Sequence, residues 1–348
     1  MLKTPKFVVI VLIYVDDIIV TGNNREEIHK FICMLNKEFT LKDLGSLHYF
    51  LGIKVFTHST GMYLTQGKYI EELLQRVHMP NLKPSPTPMT AGKSLSINDW
   101  KPLNNLAAYR SVIGALQYLS HTRPDIAFSV NKLSQFLKSP IDTHWSAAKR
   151  ILRYLKGTQH HGLHIIPSNN LNLIGFSDAD WACYPDDRRS VGGYCVFMGD
   201  TLISWSSKKQ TVVARSSTES EYRSLAHLTA ELSWIQGLLK EMRLKISSTP
   251  VIWCDNMSAS ALASNPVYHA RTKHIELDIH FVRDKVIQGK LEIRHVPSHD
   301  QLADCLRKGL SHTRFRFLID KLGIRCSPSR LRGGVKEIED NRDTAEND

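Results

Sequence analysis

The order of strand-like and helix-like runs after Leu171 constrains this chain's fold more than any other feature. Three strand-like runs come first, at 171–178, 191–198 and 201–206, and two more follow at 251–255 and 291–296. Helical periodicity fills about 218–242, 256–264, 273–288 and 301–308. Three early strands followed by alternating helix and strand imply a mixed sheet flanked by helices.

Four acidic residues sit at the ends of these elements: Asp178, Glu221, Asp255 and Asp304. In the first run Ile174, Phe176 and Asp178 share a parity, so Asp178 continues an apolar face. Glu221, Leu225, Leu228, Leu232 and Ile235 fall on one helical face, which places Glu221 at the top of the side packed on the sheet. Glu219 instead stands three residues after Ser216, the spacing of a capping box. Asp255 ends an apolar run, and Asn256 beside it serves equally well as a helix cap. Asp304 has the weakest local case, because an acid in a first helical turn is common. Taken together, converging carboxylates are what a site needs to hold two divalent cations at a phosphodiester.

Upstream, β-branched runs at 7–14 and 18–21 meet at Val15-Asp16-Asp17, a hairpin with two acids at its tip. The apolar run 7–15 is far shorter than the roughly 20 residues of a membrane helix and is expected to be a buried strand. Gly22-Asn23-Asn24 breaks the second strand and caps a helix through about Glu38. A strand pair (47–56, 62–64) and a helix (68–77) follow, and 80–105, rich in Pro, Ser and Asn, reads as a linker. Helices at 107–120, 124–137 and 143–155 form a small helical subdomain, with Pro124 at a first turn where its missing N–H costs nothing.

With 348 residues and a net charge of +11, the chain suits two domains and a polyanionic partner, nucleic acid ahead of an acidic membrane. Residues 307–332 are basic and 337–348 acidic, which reads as a partly disordered tail. Six cysteines without a C-x-x-C pair are expected to be free thiols, in an intracellular compartment (cytoplasm or nucleus) rather than outside the cell. His269, His274 and His280 do not match zinc-finger spacing.

The motifs of 171–310 resemble the ribonuclease H domain of copia-type retrotransposon polyproteins. They are Ser-Asp-Ala-Asp-Trp-Ala (177–182), Arg188-Arg189-Ser190 with Gly192-Gly193-Tyr194, and Ser-Trp-Ser-Ser-Lys-Lys-Gln (204–210). Ser-Ser-Thr-Glu-Ser-Glu-Tyr (216–222), Cys254-Asp255-Asn256, Arg-Thr-Lys-His-Ile (271–275) and Asp-Gln-Leu-Ala-Asp (300–304) complete the set. Tyr14-Val15-Asp16-Asp17 is similar to the reverse-transcriptase polymerase hairpin, and 44–52 to the strand pair that grips the primer. Thr-Arg-Pro-Asp-Ile-Ala (122–127) and 150–157 are similar to the thumb and connecting region. One local departure follows Asp304, where the family continues with an aliphatic residue and Leu-Thr-Lys-Pro-Leu. Here the chain reads Cys305-Leu306-Arg307-Lys308-Gly309-Leu310.

The resemblance implies an α+β or α/β chain in four parts. These are a truncated reverse-transcriptase palm with primer grip (1–79), a linker with helical thumb and connection (80–170), a ribonuclease H-like mixed sheet flanked by helices (171–310), and a tail (311–348). It implies hydrolysis of the RNA strand of RNA–DNA hybrids, with Asp178, Glu221, Asp255 and Asp304 holding two Mg²⁺ or Mn²⁺ ions. Lys208, Lys209, Arg215, Arg271 and Lys273 are candidates for phosphate contact, and His299 for proton transfer. The family's further metal-binding Asp lies before the hairpin. Asp16 and Asp17 are therefore expected to be a remnant site with polymerase activity lost, and other Pol segments are candidate partners. The alternative is a degenerate, non-catalytic nucleic-acid-binding remnant; a metal-dependent transposase or resolvase is disfavoured by the thumb-like segment.

Overall fold

The computed structural model describes residues 2–3, 7–92, 95–97, 101–264 and 275–328. Strands β1 (Leu2–Lys3), β2 (Val8–Tyr14) and β3 (Asp17–Gly22) form an antiparallel sheet in which Tyr14 pairs with Asp17 across the hairpin. Asn24 then starts α1 (Arg25–Glu38), its side chain accepting from the amides of Glu26 and Glu27. The run expected to be a buried strand is a strand, but Val9 alone of β2 is buried. Leu12, Ile13, Tyr14 and Val15 are exposed, because α1 packs near β3 and leaves the far half of the hairpin uncovered.

Next come β4 (Tyr49–Phe50), β5 (Ile53–His58), β6 (Gly61–Thr65) and α2 (Gly67–Arg76), then α3 (Leu106–Leu119). The helix expected over 124–137 is divided. Pro124–Ile126 is a 3₁₀ turn and α4 spans Ala127–Ser134, followed by α5 (Asp142–Gly157) and the strand β7 (His161–Ile165). At this junction Arg123 and Asp125, both fully buried, pair at 2.7 Å. Tyr154 Oη donates to Asp125 at 2.6 Å, and Arg123 donates to the carbonyl and hydroxyl of Thr158. The Thr-Arg-Pro-Asp motif thus anchors α5 to the turn before α4, each buried charge having a partner.

The second half runs β8 (Leu173–Asp180), β9 (Val191–Met198), β10 (Thr201–Lys209), α6 (Ser217–Glu241), β11 (Val251–Cys254), α7 (Met257–Ser264), α8 (Glu276–Ile287) and β12 (Glu292–His295). The expected mixed sheet forms in the order β10-β9-β8-β11-β12, antiparallel among the first three and parallel from β8 to β12. Where a helix was expected over 301–308, there is a tighter 3₁₀ segment, Leu302–Leu306, whose first turn is capped by Gln301.

Part of the segment read as a partly disordered tail has regular structure. It forms α9 (His312–Lys321) and β13 (Ile324–Cys326). Phe315, Leu318, Ile319 and Leu322 are buried at i, i+3, i+4 and i+7, an apolar face masked in the sequence by the surrounding arginines and lysines. β13 pairs with β7, and together with β6, β5 and β4 they make a third sheet, antiparallel throughout, that joins residues 49–65 to 324–326.

Both faces of the mixed sheet are covered. Leu225, Leu228 and Leu232 of α6 pack on one side with Ile252, Ile279 and Val282. On the other, Cys195, Phe197 and Leu306 share a core with Tyr109, Leu116, Ile151, Leu155, Phe315 and Leu318. The helices of 106–157 and α9 therefore form one apolar core with the sheet.

Candidate active site

The four acids arrive from four elements. Asp178 lies near the end of β8, buried, with Oδ1 accepting from the Ala179 amide at 2.7 Å. Ser224 of α6 donates to the Asp178 carbonyl at 2.9 Å and ties helix to strand. Glu221 stands in the second turn of α6, where Oε1 accepts from Asn256 Nδ2 at 3.1 Å. Glu219 is turned away: it accepts from the Arg215 amide at 2.8 Å and pairs with Arg223 at 3.0 Å, a variant of the capping box.

Asp255 follows β11 directly. The helix-cap role falls to Asn256, whose Oδ1 accepts from the Ala259 amide, so Asp255 is spared. Its Oδ2 accepts from Ser298 Oγ at 3.2 Å, while Oδ1 is buried without a hydrogen-bond partner. Asp304 sits in the 3₁₀ segment, which approaches β9 closely at Gly193. A Cβ there would come within 2.9 Å of Leu306 Cβ. Gln301 Nε2, donating to the Ser177 carbonyl at 3.0 Å, fastens the same segment to β8.

Burial dominates the electrostatics of the cluster. Burial pushes the Asp178 carboxyl well up; Arg307 opposes this, and Asp255, Glu221 and Asp304 add to it. Burial likewise lifts Glu221 to about 7, against its hydrogen bond from Asn256. Ligand atoms of Glu221, Cys254 and Asp255 lie within 4.8 Å of one another. The Cys254 thiol, driven to about 12 by burial, keeps its proton, so the carboxylates are the donors that suit a hard dication. These donors and the orphaned Asp255 oxygen fit a divalent ion.

Three residues that sequence reasoning did not place in the site also reach it. Arg307 Nε donates to Asp178 Oδ2, and its Nη2 lies 2.9 Å from Asp304 Oδ1. Lys308 pairs with Asp304 at 2.6 Å. Arg314 of α9 bonds the carbonyls of Ser298, His299 and Gln301 as well as the Asp304 carboxylate, holding the loop in place.

Of the other candidates, Lys208 and Arg215 are exposed, whereas Lys209 is committed to Asp187 at 2.7 Å and lies over the Tyr184 ring. His299 is exposed, 3.1 Å from Asp300, and adjacent to Ser298. His280 pairs with Glu276, while Arg271, Lys273, His269 and His274 lie outside the described residues, as does the acidic stretch 337–348. Asp16 and Asp17 are exposed at their hairpin tip; among the described residues no third metal-ligating side chain is grouped with them. No helix among the described residues is long and apolar enough to cross a membrane.

Residues 4–91 match the family described as reverse transcriptase (RNA-dependent DNA polymerase). Over 94% of its length the chain is 48% identical to the retrovirus-related Pol polyprotein from transposon RE1 of Arabidopsis thaliana. It is also 31% identical to a putative transposon Ty5-1 protein of Saccharomyces cerevisiae, across 64% of this chain and 73% of that one.

The chain belongs to the Pol polyproteins of copia-type retrotransposons.

It spans 22% of the length of the RE1 polyprotein. Among solved structures, the foamy viral protease-reverse transcriptase in complex with RNA/DNA hybrid aligns with a TM-score of 0.45 at 13% identity, across 86% of this chain and 37% of that one. Within this Pol chain the acid cluster lies in the part beyond the reverse-transcriptase match, on the mixed sheet.

Proposed function

We propose that this Pol chain hydrolyses the RNA strand of RNA–DNA hybrids at the acid cluster, with two Mg²⁺ or Mn²⁺ ions as cofactor. The observation that carries the reading is geometric: Glu221 and Asp255 offer ligand atoms within 4.8 Å of one another, and Asp178 and Asp304 meet beside them through Arg307. Asp178, Glu221, Asp255 and Asp304 would hold the ions. When bound, divalent ions lower the pKa of the attacking water and neutralise charge developing on the phosphate. Asn256 orients Glu221, Ser298 holds one oxygen of Asp255, and Arg314 keeps the Asp304 loop against the sheet. Lys208 and Arg215, both exposed, are suited to phosphates of the DNA strand, and the exposed His299 to a proton transfer.

The test is cleavage of an end-labelled RNA–DNA hybrid by the full chain in Mg²⁺ or Mn²⁺, with Asp178→Asn and Asp255→Asn as controls. Cleavage that survives either substitution removes that residue from the metal-binding set.

A second reading, a nucleic-acid-binding remnant without chemistry, is favoured by one observation. Arg307 already pairs with two of the four acids. Hybrid binding with no cleavage at any Mn²⁺ concentration supports it.

A further inference from the structure

Arg307 divides the acid cluster into two unlike halves. On one side its guanidinium, largely buried, donates to Asp178 Oδ2, lies 2.9 Å from Asp304 Oδ1 and 3.9 Å from Asp180 Oδ1. Asp178 has then committed both oxygens, since Oδ1 accepts from the Ala179 amide. Asp304 is ion-paired at both oxygens, by Arg307 and Lys308 at Oδ1 and by Arg314 at Oδ2, although Oδ1, like Asp255 Oδ1, accepts no hydrogen bond. On the other side no cation pairs with Glu221 or Asp255 among the described ion pairs, and Asp255 Oδ1 is buried without a hydrogen bond. A divalent ion and a guanidinium seek the same carboxylate oxygens, and the two cannot share Asp178 Oδ2 without like-charge repulsion.

We propose that Arg307 is an intramolecular cation that competes with a divalent ion for the Asp178–Asp304 side, so that the Glu221–Asp255 side fills first. The proposal rests on the cluster being a divalent-ion site, as the function above requires. A guanidinium does not lose its proton in the working pH range, so the competitor leaves only by swinging out of the site. If it is out about a tenth of the time, apparent affinity on that side falls about tenfold.

Calorimetric titration of the metal-free full chain with Mn²⁺ tests this without any need for turnover. The variants are Arg307→Gln, which keeps donors but drops the charge, Arg307→Ala, and Asp255→Asn. The expected wild-type result is one tighter and one weaker event, the weaker tightening about tenfold or more in Arg307→Gln and Arg307→Ala. Thermal unfolding with and without Mn²⁺ is the second readout, and the midpoint rise is expected to be larger in both Arg307 variants. Variants that unfold without Mn²⁺ but fold with it also support the competition. Unfolding regardless of Mn²⁺ overturns it, and makes Arg307 a structural strut. Binding that Asp255→Asn abolishes but both Arg307 variants leave unchanged overturns the competition while leaving the metal site standing. No binding in any variant overturns both.

Discussion

Glu221 Oε1 accepts a 3.1 Å hydrogen bond from Asn256 Nδ2, and this contact links the start of α6 to the end of β11. Two residues earlier on the same helix, Glu219 serves the helix start instead. Glu221→Gln is therefore expected to abolish hybrid cleavage while leaving the urea midpoint nearly unchanged. Glu219→Gln should cost about 1–3 kcal/mol of stability, because one of two buried acceptor oxygens and the charge that pairs with Arg223 are lost, yet spare turnover. Measuring both rate and unfolding for the pair checks the assignment, and the reverse pattern contradicts it.

Residues 171–310 hold one core of their own, under α6, but share the core on the other face of the mixed sheet. Cys195, Phe197 and Leu306 pack against α3, α5 and α9, and Phe315 meets Tyr154 edge-on at 5.7 Å. Phe315→Ala in the full chain is expected to cost about 3–5 kcal/mol. A 171–310 fragment should lack a cooperative denaturant transition, and a sharp one would show that the shared core is dispensable.

The buried pair of Arg123 and Asp125 supplies a third expectation. Asp125→Ala leaves Arg123 buried without its counter-ion and removes the acceptor of Tyr154. A loss of about 3–5 kcal/mol is expected in urea unfolding. A change below about 1 kcal/mol would mean water reaches Arg123.

Two histidines of β7 set a pH dependence. Burial holds His161 and His164 below the ordinary histidine value, and His164 stacks on Tyr63 with ring centroids 4.2 Å apart. Below about pH 6.5 the unfolded chain binds the protons first, so this contribution to stability is lost as pH falls from there through the folded values. The raised Asp178 and Glu221 act in the opposite sense, so the comparison must be between chains. The doubly substituted His161→Asn, His164→Asn chain should lose less stability than wild type between pH 7.5 and 5.5. An equal loss assigns the dependence elsewhere.

Much of this architecture was legible because periodicity is local. The parity of Ile174, Phe176 and Asp178, the Glu221 face of α6 and the Asn24 cap each need only neighbouring residues, and each reappears in the structure. What escaped is non-local or masked. β7 and β13 pair across some 160 residues, Arg307 meets Asp178 from 129 residues away, and the apolar face of α9 hides among basic side chains. Burial of β2 was misjudged because composition reports apolarity and says nothing of which neighbour covers it.

Cleavage of a labelled RNA–DNA hybrid by the full chain and by Asp255→Asn, at equal Mn²⁺, bears most directly on the nuclease reading. Asp255 offers a buried oxygen without a hydrogen bond and lies on the side of the cluster that Arg307 leaves open. The expected result is RNA-strand cleavage by the wild type, none by Asp255→Asn, and comparable hybrid binding by both. Equal cleavage by the two, or hybrid binding without cleavage by the wild type, would contradict the account.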